Sequence, residues 1–164
     1  MKRREFAYSL AALALAPPNI LLRAGGGQQG SAKGLTDDEK KTLGEICERI
    51  VPKDEYPGAK ELGVVVFIDR LLQEAHPEWI SVYRAGLHSI DQSSREIHGA
   101  GFAELKAEQQ TALLERMERG DPPAAEFFRM VRTHTMEGCY SHPKWGGNRD
   151  KAAWKMISYD DFWA

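Results

Sequence analysis

No apolar run in this 164-residue chain approaches the ~20 residues that a membrane-spanning helix needs. There is no period-2 alternation of any length, so a strand-built fold has no support. The glycine-rich phosphate loop and the dinucleotide fingerprint are both missing, which removes the common nucleotide-binding domains. So are Cys-x-x-Cys-His for covalent haem, a His pair flanking Glu for zinc, and the glycine-flanked serine of a nucleophile elbow. Net charge is small, −2, which argues against a general nucleic-acid binder. Only two cysteines occur, Cys47 and Cys139.

What is present begins with an address. "MKRREF" precedes "AYSLAALALA", an apolar stretch of about ten residues. Arg3 and Arg4, then Glu5 and Phe6, ahead of weak hydrophobicity form the twin-arginine export pattern. An amphipathic first helix is the competing reading, but Pro17-Pro18 and "AGGGQQG" would break it. Residues 1–24 are read as the signal, with a cut after Ala14-Leu15-Ala16 or near Ala24, and 25–34 as a flexible linker. Removing 1–24 takes four cations and one carboxylate, leaving the body at −5. Twin-arginine export carries folded cargo, which suggests fast folding, a cofactor, or a folded partner travelling with the chain, and the missing cofactor motifs give weight to the partner. In an oxidising compartment Cys47 and Cys139 are expected to form a disulfide; two buried free thiols are the alternative.

Residues 35–164 read as one helical domain. Thr36 and Glu39 have capping-box spacing, and Leu43, Ile46, Cys47 and Ile50 follow on one face. "AKELGVVVFIDRLLQEAHP" is expected as a second helix, with stripes Val65, Ile68, Leu72 and Val64, Phe67, Leu71; a strand at "VVVFI" competes. A third should start at Pro77, bury Ile80, Tyr83, Leu87, Ile90 and Ile97, and stop at Gly99. A fourth, from "GFAEL" to Gly120, turns Leu113, Leu114 and Met117 inward. A fifth starts at Pro122 or Pro123 and ends at Gly138, with Phe127, Met130, Val131 and His134 on its face. The fold class is all-α: a compact bundle of about five helices with an irregular aromatic C-terminal arm.

Chemistry is sparse. His134, Cys139 and His142 are the most enzyme-like group, and a stand-alone periplasmic metal protein or enzyme using His134 and His142 is the alternative function; a packed His134 is the blander one. Asp37, Asp38 and Glu39 suit a helix N-terminus. The end, Asp160, Asp161, Phe162 and Trp163, either docks on a partner or folds back. "CYSHPKWGGNRDKAAWKM" has no catalytic spacing. Gly146, Gly147 and Asn148 predict a tight turn. Tyr140, Trp145 and Trp154, amid Arg149, Lys151 and Lys155, supply the broad amphipathic surface common in binding hot spots or in a cap over the chain's own core.

"GCYSHPKWGGNRDKAAWKMI" resembles the C-terminal signature of the gluconate 2-dehydrogenase subunit 3 family, and "ICERIVPKDEYPGAKELGVVVFIDRLL" is similar to its first two helices. The resemblance covers about residues 36–158; the ending "SYDDFWA" departs from the family's Gly-Pro-containing tail. It implies a small, or gamma, subunit of a periplasmic flavin-dependent sugar or polyol dehydrogenase. The large subunit, of glucose-methanol-choline (GMC) oxidoreductase type, would hold FAD. A c-type cytochrome would accept electrons and could tie the complex to the membrane. The twin-arginine translocase would carry the pair. On this reading the chain is non-catalytic and holds no cofactor or metal itself. The partner interface would draw on Tyr140, His142, Pro143, Trp145, Gly146, Gly147, Asn148, Trp154 and Lys155, and Cys47 bonded to Cys139 would tie the first helix to the arm. A solitary binding module without its dehydrogenase is a further reading.

Overall fold

The first helix starts where local chemistry dictates. In the computed structural model, which describes residues 34–159, α1 spans Asp37–Ile50. Thr36 Oγ1 accepts the Glu39 N–H at 3.2 Å, and the Glu39 carboxylate accepts the Thr36 N–H at 2.7 Å. Two otherwise orphaned donors are thereby satisfied, and three carboxylates in the first turn complement the helix dipole. Leu43, Ile46 and Cys47 are fully buried. Arg3, Arg4 and Phe6, the linker up to residue 33, and Asp160, Asp161, Phe162 and Trp163 lie outside the described residues.

Glu48 organises the crossing after α1. Its two carboxylate oxygens accept the backbone N–H groups of Lys53 and Lys60, each at 3.0 Å. Gly58 lies under that carboxylate, where a Cβ would collide with it. Helix α2 then begins at Val64, later than its sequence suggests, because Gly63 adopts a left-handed φ of 77°. It runs Val64–Arg70 and continues as one π-helical turn, Leu71–Ala75. The run "VVVFI" is helical: Val64, Ile68 and Leu72 are fully buried, Val65 and Phe67 are half-buried, and Val66 faces out.

A 3-10 turn at Pro77–Trp79 leads into α3, Ile80–His98, which Gly99 ends with φ 75°. Tyr83, Leu87 and Ile90 are buried as expected, but Ile97 is exposed. The inward position one turn after Ile90 belongs to Ser94, whose hydroxyl donates to the Ala100 carbonyl at 2.7 Å and brings the chain back. "GFAEL" is a separate 3-10 turn, Phe102–Glu104. Its Phe102 is fully buried, with its N–H on Asp91 at 2.9 Å. Helix α4, Ala107–Glu118, turns Leu113, Leu114 and Met117 inward.

Helix α5, Pro122–Tyr140, is capped by Asp121. It does not stop at Gly138. That glycine allows close approach to α2: a Cβ would stand 3.0 Å from the Phe67 ring and 3.1 Å from Val64. Gly86 of α3 has the same use, since a Cβ there would enter the Phe127 ring. α1 packs on α2, α3, α4 and α5, while α5 also packs on α2, α3 and α4. The chain finishes in 3-10 turns at Pro143–Trp145 and Arg149–Lys151 and a short α6, Ala152–Met156. No strand occurs among the described residues. The fold is all-α, with five longer helices and a sixth short one among the described residues.

Candidate functional site: the C-terminal arm

The arm is fastened to the bundle through its backbone. Arg149 N–H donates to the Leu62 carbonyl at 3.1 Å, and Arg70 Nη1 donates to the Lys144 carbonyl at 2.7 Å. Gly146 takes φ 102°, and a Cβ there would press on Val66 at 2.7 Å. Gly147 lies against the Gly138 carbonyl so closely that any Cβ would overlap it. Asn148 is wholly buried with φ 44°. Its amide Nδ2 donates to the Ser141 carbonyl at 3.1 Å, and its Oδ1 accepts the Ala153 N–H at 3.0 Å. Asp150 and Lys151 are also left-handed, φ 59° and 56°. Such backbone is unfavourable for non-glycine residues by roughly 1 kcal/mol or more each and persists only where the surroundings impose it.

Trp154 belongs to the same brace. It is 8% exposed, and its indole N–H donates to the Tyr140 carbonyl at 2.8 Å, closing the end of α5. Its ring meets His142 edge-on at 5.6 Å and Tyr159 at 5.1 Å. His142 also accepts the Lys144 N–H on Nδ1 at 3.1 Å, and Pro143 opens the turn that follows. Gly147, Asn148 and Trp154 are therefore turned inward.

Other members of the run face out. Trp145 is 48% exposed, Tyr140 is 37% exposed and Lys155 is exposed. The Trp145 ring lies 5.1 Å from Lys144 Nζ and 5.8 Å from the Arg70 guanidinium. Arg70 is fixed by Glu74, which it grips with two parallel bonds of 3.1 Å. Charge is segregated as well: residues 140–159 hold four cations and one carboxylate, residues 34–139 thirteen cations and twenty carboxylates.

The candidates on α5 have other partners. His134 Nδ1 is hydrogen-bonded to the Tyr83 hydroxyl at 2.8 Å, and its ring stacks on Trp79 at 5.2 Å. Burial holds His134 below the ordinary histidine range, assisted by His76 and opposed by Glu137. Burial likewise raises the Tyr83 phenol, with further contributions from Cys47 and Glu137, so the bond joins a neutral phenol to a neutral imidazole. His134 meets Tyr83 and Trp79 whereas His142 meets Trp154 and the Lys144 N–H, and among the described residues no three His, Cys, Asp or Glu side chains form a metal-holding group.

The expected disulfide is not formed. Cys47 and Cys139 are free thiols buried in the core. Cys47 Sγ accepts the Thr135 hydroxyl at 3.3 Å. Burial pushes the Cys47 thiol up to about 12 and Cys139 up to about 11. Neither supplies the thiolate that disulfide chemistry needs at neutral pH.

The model of one protein family, gluconate 2-dehydrogenase subunit 3, matches residues 37–160. The chain belongs to the gluconate 2-dehydrogenase subunit 3 family. The match includes the six helices described above and the braced arm, and it names a subunit of a gluconate 2-dehydrogenase complex. No curated protein and no solved structure matches the chain.

Two residues that support this subunit's architecture went unread in the sequence. Asp69, buried in α2, accepts the Leu35 N–H and the Gln73 amide, each at 2.8 Å, and pairs with Lys40 at 2.8 Å. Arg70 joins α2 to the arm. The "FIDR" that contains both looks like ordinary helix, and only the tertiary fold brings Leu35 and Lys144 to it.

Proposed function

We propose that this chain is the non-catalytic small subunit of a periplasmic, FAD-dependent, GMC-type sugar or polyol dehydrogenase. It binds and stabilises the large subunit and escorts it through twin-arginine export. The observation that carries this reading is the two-sided arm of a family subunit: Gly147, Asn148 and Trp154 are used up inside, while Trp145, Tyr140 and Lys155 remain outside. A rigid loop that presents aromatics and cations gives a partner a preformed surface. A stable complex of this kind buries more than ~1,000 Å². Oxidation of the sugar belongs to the flavin of the large subunit, with a c-type cytochrome as electron acceptor, and Arg3 and Arg4 engage the translocase.

The test is to express the large subunit with and without this chain, and with Arg3 and Arg4 both changed to Lys. Flavin content, yield and periplasmic activity should all fall when the chain is missing, and export should fail in the double variant. Equal yield, flavin loading and activity without the chain would refute the escort role.

A further inference from the structure

Trp145 stands out among the exposed apolar residues because it is held rigidly with half its surface in water. Its turn is closed by Trp145 N–H on the His142 carbonyl at 3.0 Å and Gly146 N–H on the Pro143 carbonyl at 2.9 Å. Beneath it, Arg70 donates to Glu74 and to the Lys144 carbonyl, leaving that guanidinium little freedom. Val66, 48% exposed, lies one helical turn before Arg70 on α2 and touches the Gly146 position. Val66 therefore lies against the residue next to Trp145, and both side chains are exposed on the face that carries Arg70 and Lys144. Exposed tryptophan is enriched at protein–protein anchors, and a side chain fixed before binding loses little conformational entropy on docking.

We propose that Trp145, with Val66 beside it and Arg70 and Lys144 around it, is the anchor of the complex, and that it enters an apolar pocket with an acidic rim on the flavoprotein subunit. This deepens the small-subunit reading and rests on it. Arg70 is already paired with Glu74, so the sign of the rim follows from Lys144, whose ammonium lies 5.1 Å from the ring. A second copy meeting the same face would set Lys144 against its own counterpart, which is unfavourable, so the face suits a different chain. The acidic remainder of this subunit would repel such a rim elsewhere, so only the arm suits it.

The experiment measures association kinetics between the purified FAD-loaded large subunit from the same host and this chain, as wild type, Trp145→Ala, Trp145→Phe and Lys144→Glu. Melting temperatures are recorded for each. Trp145→Ala should weaken binding about 30-fold or more, out of proportion to its fall in melting temperature, and Trp145→Phe should restore part of it. Lys144→Glu should slow association about tenfold at low salt, with the difference closing at high salt. If wild type and Trp145→Ala bind equally well, the anchor is elsewhere and the small-subunit reading survives. If Lys144→Glu associates at the wild-type rate, the acidic rim is wrong. If wild type fails to bind, the subunit reading falls and takes this inference with it. A homodimer in sedimentation, or capture on phosphatidylglycerol vesicles, that Trp145→Ala abolishes while flavoprotein binding persists would assign the face to a second copy or a lipid surface and overturn the proposal.

Discussion

Replacing Asn148 by alanine removes both halves of the clasp that holds the arm in shape. The Ala153 N–H, in a buried residue, loses its acceptor, and the Ser141 carbonyl loses its donor. A buried polar group left unpaired is unfavourable by ~1–3 kcal/mol. The carbonyl has a second lone pair and is only half-buried, so its share belongs at the low end. Alanine also tolerates φ 44° less well than asparagine, by roughly 1 kcal/mol. Together these give a loss of about 3 kcal/mol, which for a domain of this size lowers the melting temperature by about 10 °C. Asn148→Gly relieves the backbone while losing the same two bonds, so it should destabilise less than alanine, by about 1 kcal/mol. Thermal and urea unfolding give the stabilities, and hydrogen exchange at the Ala153 amide tests the clasp directly. A loss under about 0.5 kcal/mol, unchanged protection at Ala153, or glycine worse than alanine would refute the reasoning.

Gly147→Ala should be more damaging than Asn148→Ala, because its Cβ meets the Gly138 carbonyl, which is backbone and cannot swing away; poor soluble yield or an earlier melt checks this. Asp69→Asn should lower stability by about 1–2 kcal/mol by weakening the hold on Leu35 and Lys40, and proteolysis near residue 35 should accelerate. Stability should fall on acidification through the ordinary histidine pKa near ~6.5, because the unfolded chain takes up a proton that folded His134 refuses, and the loss is complete once pH drops below the depressed folded value. Urea midpoints from about pH 7.5 to about pH 5 should show that slope, and His134→Gln, whose amide can still hydrogen-bond Tyr83, should flatten it. Cys47 and Cys139 should resist a maleimide at neutral pH and react only after unfolding; rapid labelling of the native chain, or a Cys47–Cys139 cross-link in peptide maps, would contradict their assignment as buried thiols.

How much was legible depends on how far apart the interacting residues lie. The Thr36–Glu39 box was readable because both bonds span three residues. Leu113, Leu114 and Met117 were readable because helical period alone places them. Gly138 was misread as a helix stop because glycine has two meanings in a helix, termination and close approach, and only the presence of Phe67 and Val64 opposite selects the second. Asp69 drew no reading, because its role depends on the chain passing Leu35, 34 positions earlier. The disulfide expectation came from compartment chemistry, which is silent on whether Thr135 will occupy the Cys47 sulfur. Nor does composition tell Trp145 from Trp154. Nine residues apart in one aromatic run, they part company because the Tyr140 carbonyl at the end of α5 receives one indole N–H and not the other.

That division gives the arm a separable logic. Gly146, Gly147 and Asn148 answer to the bundle: one to a left-handed φ against Val66, one to the Gly138 carbonyl, one to two backbone groups it alone can satisfy. Trp145, Lys144 and Arg70 carry the chemistry that faces outward. Changes in the first group should therefore reduce partner binding and melting temperature together, because the platform itself gives way. Changes at Trp145 should reduce binding out of proportion to the melt. Plotting affinity against stability over both sets distinguishes an arm that merely caps its own core from one that also docks. A single line through all variants would mean that Trp145 contributes only through folding, whereas a Trp145 point well below that line means the exposed indole contacts the partner.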